Sequence, residues 1–383
     1  MGKIGFSMPT HVVMGSGCRF RLPEIMSRHQ WSRLLVVVDP HLTGLCWFGD
    51  LRRLLSDEGI QLAFFSDFSA NPRTSEAERA AEAAWSTSAD AVLAIGGGSA
   101  IDAAKAAAML ATNQGKALDF VGLDLFPASP LPLLALPTTC GTGSEVTWVS
   151  VLTEETRREK VSIKGGGMFP AYALVDPDLL ATLPPHLIAS TAMDAMTHAV
   201  EALVGRCANP ISDAMARQAV ALIFEHLETL VRSEGSDETA RFYIAKASCL
   251  AGMAFGNADV AGVHCLSESI GALFDAPHGV VNAILLAPTL RYQQAYLGHR
   301  LHKTAQVIGC NVADEACNDA FLEAVEGLVA RLKIPAFASL HIPTDAYETI
   351  AGLAERNGSN ASNPRPMAAA DYLAVLNGLT VSS

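Results

Sequence analysis

Asp194 and His198 stand four residues apart in the stretch Thr191-Ala192-Met193-Asp194-Ala195-Met196-Thr197-His198-Ala199-Val200-Glu201, which has helical character. Positions i and i+4 share a helix face, so one cation fits between a carboxylate and an imidazole spaced this way. Farther along, His264 and His278 bracket the segment from Cys265 to Pro277. Three imidazoles and a carboxylate form a borderline donor set suited to Fe(II), Zn(II) or a similar divalent ion. Spacing alone leaves other readings open. Thr191 with Asp194 fits a helix-capping pattern, a solitary buried histidine is commonly a hydrogen-bonded core residue, and His278-Gly279 after Pro277 also fits a plain turn.

The first half of the chain carries a different chemistry. A short apolar run ending at Ile95 leads into Gly96-Gly97-Gly98-Ser99-Ala100-Ile101-Asp102-Ala103-Ala104-Lys105. Three glycines let backbone approach a pyrophosphate, and a helix starting near Ser99 offers free N–H groups and a positive dipole end. A second loop, Pro137-Thr138-Thr139-Cys140-Gly141-Thr142-Gly143-Ser144-Glu145, follows the run Leu133–Leu136. Its small hydroxyl residues suit hydrogen bonds to phosphate, ribose or carboxamide. Taken singly, each loop also fits an ordinary turn, but ligands of open α/β sheets bind where such loops leave the strands. Asp39 ends the run Leu34–Val38, where a carboxylate accepts from a ribose 2′-hydroxyl and repels a 2′-phosphate. A strand-ending Asp-Pro turn is the plainer alternative. This acid precedes the glycine loop, unlike the acid of the common dinucleotide fingerprint.

These residues need a frame. Leu34–Val38, Leu62–Phe65, Ala91–Ile95 and Leu133–Leu136 read as buried parallel strands, continuous and apolar. Helical spacing lies between them at Leu51–Glu58 and Ser75–Ser88, so the rhythm predicts a doubly wound α/β layer. After about Pro184 strand signals nearly vanish. Ile188–Val204, Asp213–Glu228, Glu238–Phe255, Asp319–Leu332 and Ala346–Ala354 carry helical periodicity, which predicts an all-α second domain. With prolines clustered from Pro177 to Pro185, the expected domains are 1–180 and 181–383.

Composition narrows the function classes. At 383 residues, 50% hydrophobic and 17% charged, the chain has ample material for two cores. Its net charge of -12 argues against nucleic acid as a partner, and Arg157, Arg158 and Lys160 read as a solvated turn. No apolar run approaches the ~18 residues that span a bilayer. The start, Met1-Gly2-Lys3-Ile4-Gly5-Phe6, lacks a signal-peptide core, and Phe6 stands where a myristoylation signal has Ser or Thr. Eight scattered cysteines without a C-x-x-C pair fit reduced thiols. The expectation is a cytoplasmic protein with no membrane partner.

Assembled in order, these strings resemble the iron-containing (group III) alcohol dehydrogenases. The resemblance rests on Gly96-Gly97-Gly98-Ser99 with Asp102 and Lys105, and on Pro137-Thr138-Thr139 with Gly141 through Thr147. It rests further on Met193 through Ala199 with Glu201, Ala254-Phe255 with Asn257, His264, and Pro277-His278-Gly279. Asn71-Pro72 and Asn363-Pro364-Arg365-Pro366 also match. The family implies an N-terminal dinucleotide-binding α/β domain and an all-α C-terminal domain in the dehydroquinate synthase-like architecture, with metal and nicotinamide held in a cleft. It implies Asp194, His198, His264 and His278 as metal ligands. Asp39 falls where the family selects NAD over NADP. Asn71, Gly97, Gly98, Ser99, Asp102, Thr138, Thr139, Thr142, Thr147 and Lys160 fall at dinucleotide positions. Members often carry a histidine four residues after the first downstream ligand, and here that place is Glu268. Glu268 and His278 are therefore the expected catalytic residues, and Val149 stands where a polar residue is common.

The resemblance implies reversible hydride transfer between NAD and a primary alcohol or its aldehyde. A divalent metal, Fe(II) or alternatively Zn(II), acts as Lewis acid. It also implies a homodimer or larger homo-oligomer. Two other readings share the sequence features: a dehydroquinate-synthase-like lyase, which needs a basic cluster not evident near these ligands, and a non-catalytic, metal-stabilised binding protein.

Overall fold

The computed structural model describes residues 5–381. The first four residues of the N-terminal reading above, and the outermost ends of both expected domains, lie outside them. The chain forms two compact units. One comprises Met8–Thr139 and Gly143–Ala181, and the other mainly Cys140–Thr142 and the chain from Thr182 on.

The α/β unit contains strands β1 (His11–Met14), β2 (Arg33–Val38), β3 (Gln61–Phe65), β4 (Ala91–Gly96), β5 (Gly122–Leu123), β6 (Leu133–Pro137), β7 (Val149–Glu154), β8 (Glu159–Lys164) and β9 (Tyr172–Val175). Its helices are α1 (Leu22–His29), α2 (Cys46–Asp57), α3 (Thr74–Ser86) and α4 (Gly98–Leu110). Six strands pair in parallel in the order β1-β9-β6-β4-β2-β3. The chain winds outward from β2 to β3, then returns to lay β4 on the other side of β2. That reversal is the switch point of a doubly wound sheet.

Alternate strand residues explain why both faces are covered. Leu34, Val36, Leu93, Ile95 and Leu134 pack with Leu22, Ile25, Met26, Leu51 and Leu55. Leu35, Val37, Val92, Ala94 and Ala135 pack with Ala84, Ile101, Ala104 and Ala108. The central strands are thus buried on both sides, which is why they read as unbroken apolar runs. Truncating Leu93 to Ala would cost roughly 2–5 kcal/mol. Helix α4 is almost entirely buried and rich in alanine, so it lies close against β4, β7 and α3.

The expected central strands are present within a residue or so of their predicted ends, while the helix expected at Leu51 begins at Cys46. Strands β1 and β9 and the β7–β8 hairpin are not among the elements expected from the sequence. That hairpin turns through Glu155–Arg158 without a glycine, with Arg158 at φ 54°. The basic cluster therefore divides: Arg157 and Arg158 lie in the turn, and Lys160 lies on β8.

The second unit is helical: α5 (Pro185–Val204), α6 (Pro210–Arg232), α7 (Glu238–Ala258), α8 (Gly262–Phe274), α9 (His278–Tyr292), α10 (Gln294–Leu297), α11 (His302–Val307), α12 (Cys317–Arg331), α13 (Tyr347–Arg356) and α14 (Ala369–Val381). Helices α5, α6 and α7 pack on one another, α9 packs on α5, and α8 packs between α9 and α13. Among the described residues no helix is long and apolar enough to cross a membrane.

Candidate metal and dinucleotide sites

Helix α5 begins with Pro185 at its first position, where a missing N–H costs nothing. Thr191 and Asp194 consequently lie in the helix interior, and the capping reading fails. Thr191 Oγ1 instead donates back to the Leu187 carbonyl at 2.7 Å. Asp194, His198 and Glu201, at i, i+4 and i+7, form one buried stripe.

Helix α8 delivers His264. It has no side-chain cap of its own, and its first N–H groups are met from elsewhere. Asn363 Oδ1 accepts from Gly262 N at 2.8 Å, and Glu201 Oε1 accepts from Val263 N at 2.7 Å. Glu201 Oε2 also lies 2.5 Å from His264 Nδ1. One carboxylate thus fixes the helix start and the imidazole, leaving Nε2 to face inward, as outer-shell carboxylates do for metal-binding histidines. Helix α9 delivers His278 at its first turn. A Cβ on Gly279 would run into the Ser190 carbonyl, so only glycine lets α9 lie this close to α5.

The result is convergence on Asp194. Its Oδ1 lies 3.9 Å from His198 Nδ1, 3.8 Å from His264 Nε2 and 3.6 Å from His278 Nε2. Ligand atoms of Asp194, His198 and His264 all fall within 4.8 Å of one another. Phe255 stacks on His198 with centroids 4.1 Å apart and holds its plane. Asn282, one turn after His278, brings its amide nitrogen to 2.6 Å from Asp194 Oδ1, 3.2 Å from His264 Nε2 and 3.0 Å from His278 Nε2. An NH2 group has two hydrogens for these three atoms, while His198 Nδ1 is buried without a hydrogen-bond partner.

The electrostatics favour a cation. Burial pushes the His198 imidazole down to about 3, so it stays neutral with a lone pair to offer. Burial opposes charge on Asp194, but the three imidazoles and the Asn282 hydrogen bond outweigh it and lower its carboxyl. Burial likewise opposes a charged His264, yet the Glu201 carboxylate prevails and raises it. Two buried carboxylates among such neighbours are costly unless a positive charge joins them. The donor set, the unpartnered His198 nitrogen and this charge balance fit a divalent metal.

Glu268 sits one turn beyond His264 on α8, half-buried, and its Oε2 accepts from Asn357 Nδ2 at 2.6 Å. Its charge contributes to raising His264, so it lies within electrostatic reach of the metal group.

The α/β unit gathers most of the dinucleotide positions at the carboxyl ends of β2, β4 and β6. Gly96 adopts φ +153°, and a Cβ there would stand 2.6 Å from Ala100 Cβ and 3.2 Å from Asp39 Cβ. Glycine at 96 therefore lets the turn pass beside Asp39, whose Oδ1 accepts from His41 N at 2.9 Å. A Cβ on Gly97 would press on Thr139 at 3.1 Å. Helix α4 begins at Gly98 with no side-chain cap and no acid in its first turn, leaving its N–H groups for an anion. This cradle fits a pyrophosphate.

Ser99 Oγ donates to the Ala70 carbonyl, Lys160 Nζ donates to Asn71 Oδ1 at 2.7 Å, and Thr138 N donates to Gly96 O at 3.0 Å. Thr142 belongs to the segment that groups with the helical unit. Asp102 and Thr147 lie in a buried network: Asp102 accepts from Ser144 Oγ at 2.6 Å and Val151 N at 3.1 Å. Lys105 Nζ donates to Ser144 Oγ, Thr147 Oγ1 and the Val149 carbonyl at 2.8–3.0 Å. Burial pushes Lys105 down to about 8 and Glu145 up to about 7, and it raises Asp102.

Sequence reading gave no role to Glu201, Asn282 or Phe255. The signal for the first two was available: Glu201 continues the Asp194–His198 stripe, and Asn282 is four residues after His278. Phe255 had no local signal, because its partner lies on another helix.

The chain matches the family model of iron-containing alcohol dehydrogenase over residues 9–177, and the C-terminal model of the Fe-containing alcohol dehydrogenase family over residues 188–379. Alcohol dehydrogenase 4 of Schizosaccharomyces pombe is 35% identical over 362 residues, 94% of this chain and 85% of its own. A solved 1,3-propanediol oxidoreductase is similar at TM-score 0.95 and 30% identity, covering 99% of this chain and 100% of that one. Sulfoacetaldehyde reductase from Bifidobacterium kashiwanohense, solved in complex with NAD+, is similar at TM-score 0.88 and 28% identity, covering all of both chains.

Proposed function

The chain belongs to the iron-containing alcohol dehydrogenase family and is an NAD-linked alcohol dehydrogenase; from that premise we propose how its residues divide the work. Asp194, His198, His264 and His278 hold the metal, with Fe(II) preferred and Zn(II) the alternative. NAD is preferred over NADP, and the substrate is a primary alcohol or its aldehyde. The observation that carries this reading is the convergence of three imidazole nitrogens on Asp194 Oδ1, with Glu201 setting the tautomer of His264.

A divalent ion in this set supplies Lewis acidity toward a substrate oxygen, and a nicotinamide supplies the hydride acceptor. The residues do the rest. Glu201 holds the His264 Nδ1 proton so that Nε2 remains a donor. Asn282, whose amide nitrogen lies beside Asp194 Oδ1, His264 Nε2 and His278 Nε2, would have to yield those lone pairs to a bound ion. Glu268, held at Oε2 by Asn357, presents Oε1 as acceptor for the alcohol proton, and His278, the most exposed of the four ligands, borders the substrate.

For the dinucleotide, Gly97, Gly98 and the α4 N-terminus bind the pyrophosphate. Asp39 receives the adenosine ribose, and Asn71, Ser99, Thr138, Thr139, Thr142 and Lys160 complete the set. Asp102 and Thr147 serve by fixing the second loop through Ser144 and Lys105. The reading extends to functional domains at 1–180 and 181–383, a homodimer or larger assembly, and a cytoplasmic setting, which eight free thiols support.

The test is a panel of primary alcohols and aldehydes followed by reduced-nicotinamide absorbance, with iron- and zinc-loaded enzyme prepared separately. Turnover in either metal form with NAD supports the reading. A panel with no metal-dependent turnover refutes it.

A further inference from the structure

We propose that the helical unit holds a second cation site, built from His302, Asp314 and Cys317 and suited to a divalent ion of the zinc class. None of these residues belongs to the Asp194 group. His302 opens α11, Asp314 opens a short 3-10 turn (Asp314–Ala316), and Cys317 opens α12. A ring nitrogen, a carboxylate oxygen and the Sγ atom from the three residues all lie within 4.8 Å of one another.

The spacing fits ligands of one ion. His302 Nδ1 stands 3.5 Å from Asp314 Oδ1. Two donors each about 2.1 Å from a tetrahedral ion are roughly 3.4 Å apart. His302 Nε2 faces His299 Nδ1 at 3.3 Å. In the tautomer whose Nε2 proton goes to His299, Nδ1 turns a lone pair toward the carboxylate, and a cation fits between the two. The His299 contact then holds that tautomer as outer-shell partners do.

The donor chemistry selects the ion. Cys317 is fully buried and occupies the first position of α12, with its sulfur beside the other two donors. Sulfur with imidazole and carboxylate suits zinc-like ions and not magnesium or calcium. Three protein donors leave the fourth tetrahedral position to water. The ion would tie α11 to α12 across residues 308–313. Its role is structural, because no residue of this group contributes to the proposed catalytic set.

Cobalt(II) titration of the whole enzyme tests this site separately. Sulfur is absent from the Asp194 set, so a thiolate-to-cobalt charge-transfer band reports only the new one. Two equivalents of cobalt per chain are expected, one of them with the band. Cys317→Ser should abolish the band, and His302→Gln should weaken the second equivalent by at least roughly tenfold. Asp314→Asn acts on an exposed side chain and His302→Gln on one outside the buried core, so both remain informative if Cys317→Ser folds poorly. Zinc should also raise the Tm of the wild type by more than that of His302→Gln, which keeps only the Asp194 set. Absence of the band at saturating cobalt overturns the site, and so does a band with undiminished affinity in His302→Gln and Asp314→Asn.

Discussion

In the α/β unit the proposed ligand-binding turn is made of backbone, Gly96 and Gly97 leading into the uncapped start of α4. In the helical unit the proposed ligands are four side chains from three helices, two of them on α5. The difference decides what each unit tolerates. A glycine turn fails when a Cβ is added, since the clash is with Ala100, Asp39 and Thr139. A side-chain cluster fails when a donor, or the residue that aims a donor, is changed. The two sites should therefore break separately, and mutations sort them.

Glu201→Gln strikes the aiming of His264. The amide keeps most of the shape but loses the charge on the imidazole and the acceptor for one of its two hydrogen bonds. Metal affinity should fall about 10–100-fold, measured by competition with a chromophoric chelator, while NADH affinity stays within twofold. An unchanged metal affinity would reduce Glu201 to a cap for α8.

Glu268→Gln should lower alcohol oxidation roughly tenfold with metal content intact, because an amide cannot take the alcohol proton. Steady-state kinetics across pH decides this, and a wild-type rate and profile would make Glu268 a partner of Asn357 only.

In the α/β unit, Asp39→Gly removes a carboxylate without disturbing the glycine turn. The preference for NAD over NADP should narrow about fivefold, the size of a ~1 kcal/mol repulsion in a solvated setting. The ratio of kcat/KM values for the two cofactors measures it.

A further effect is on stability rather than on either ligand. Burial raises the Glu145 carboxyl from its ordinary 4.5 to about 7. The folded protein thus keeps a proton that the unfolded chain releases, so this group's contribution is present below pH 4.5 and is lost as pH rises toward 7. Glu145→Gln should match wild type in Tm at pH 4.5 and exceed it at pH 8. A gap that does not widen with pH would contradict the assignment.

The two units also differed in how far sequence exposed them. Strands β2, β4 and β6 are buried on both faces, so they appear as unbroken apolar runs, and the glycines after β4 mark the turn. Helix α5 declared the Asp194–His198 stripe through simple periodicity. Helices α8 and α9, which bear His264 and His278, escaped as helices because both are buried over most of their surface and lack a clear polar face. Their start signals are also remote: α8 is capped by Asn363 and Glu201, about 100 and 62 positions away. Strands β1 and β9 are four residues each and take their identity from pairing with one another.

The most direct test of the account is His264→Ala, followed by three measurements on one preparation: metal content, NADH binding and turnover. The account predicts that metal is lost, that turnover falls at least about a thousandfold, in line with several kcal/mol of Lewis-acid stabilisation, and that NADH binds nearly as in wild type with an unchanged circular dichroism spectrum. Full metal content in this variant, or turnover that survives without metal, would contradict it.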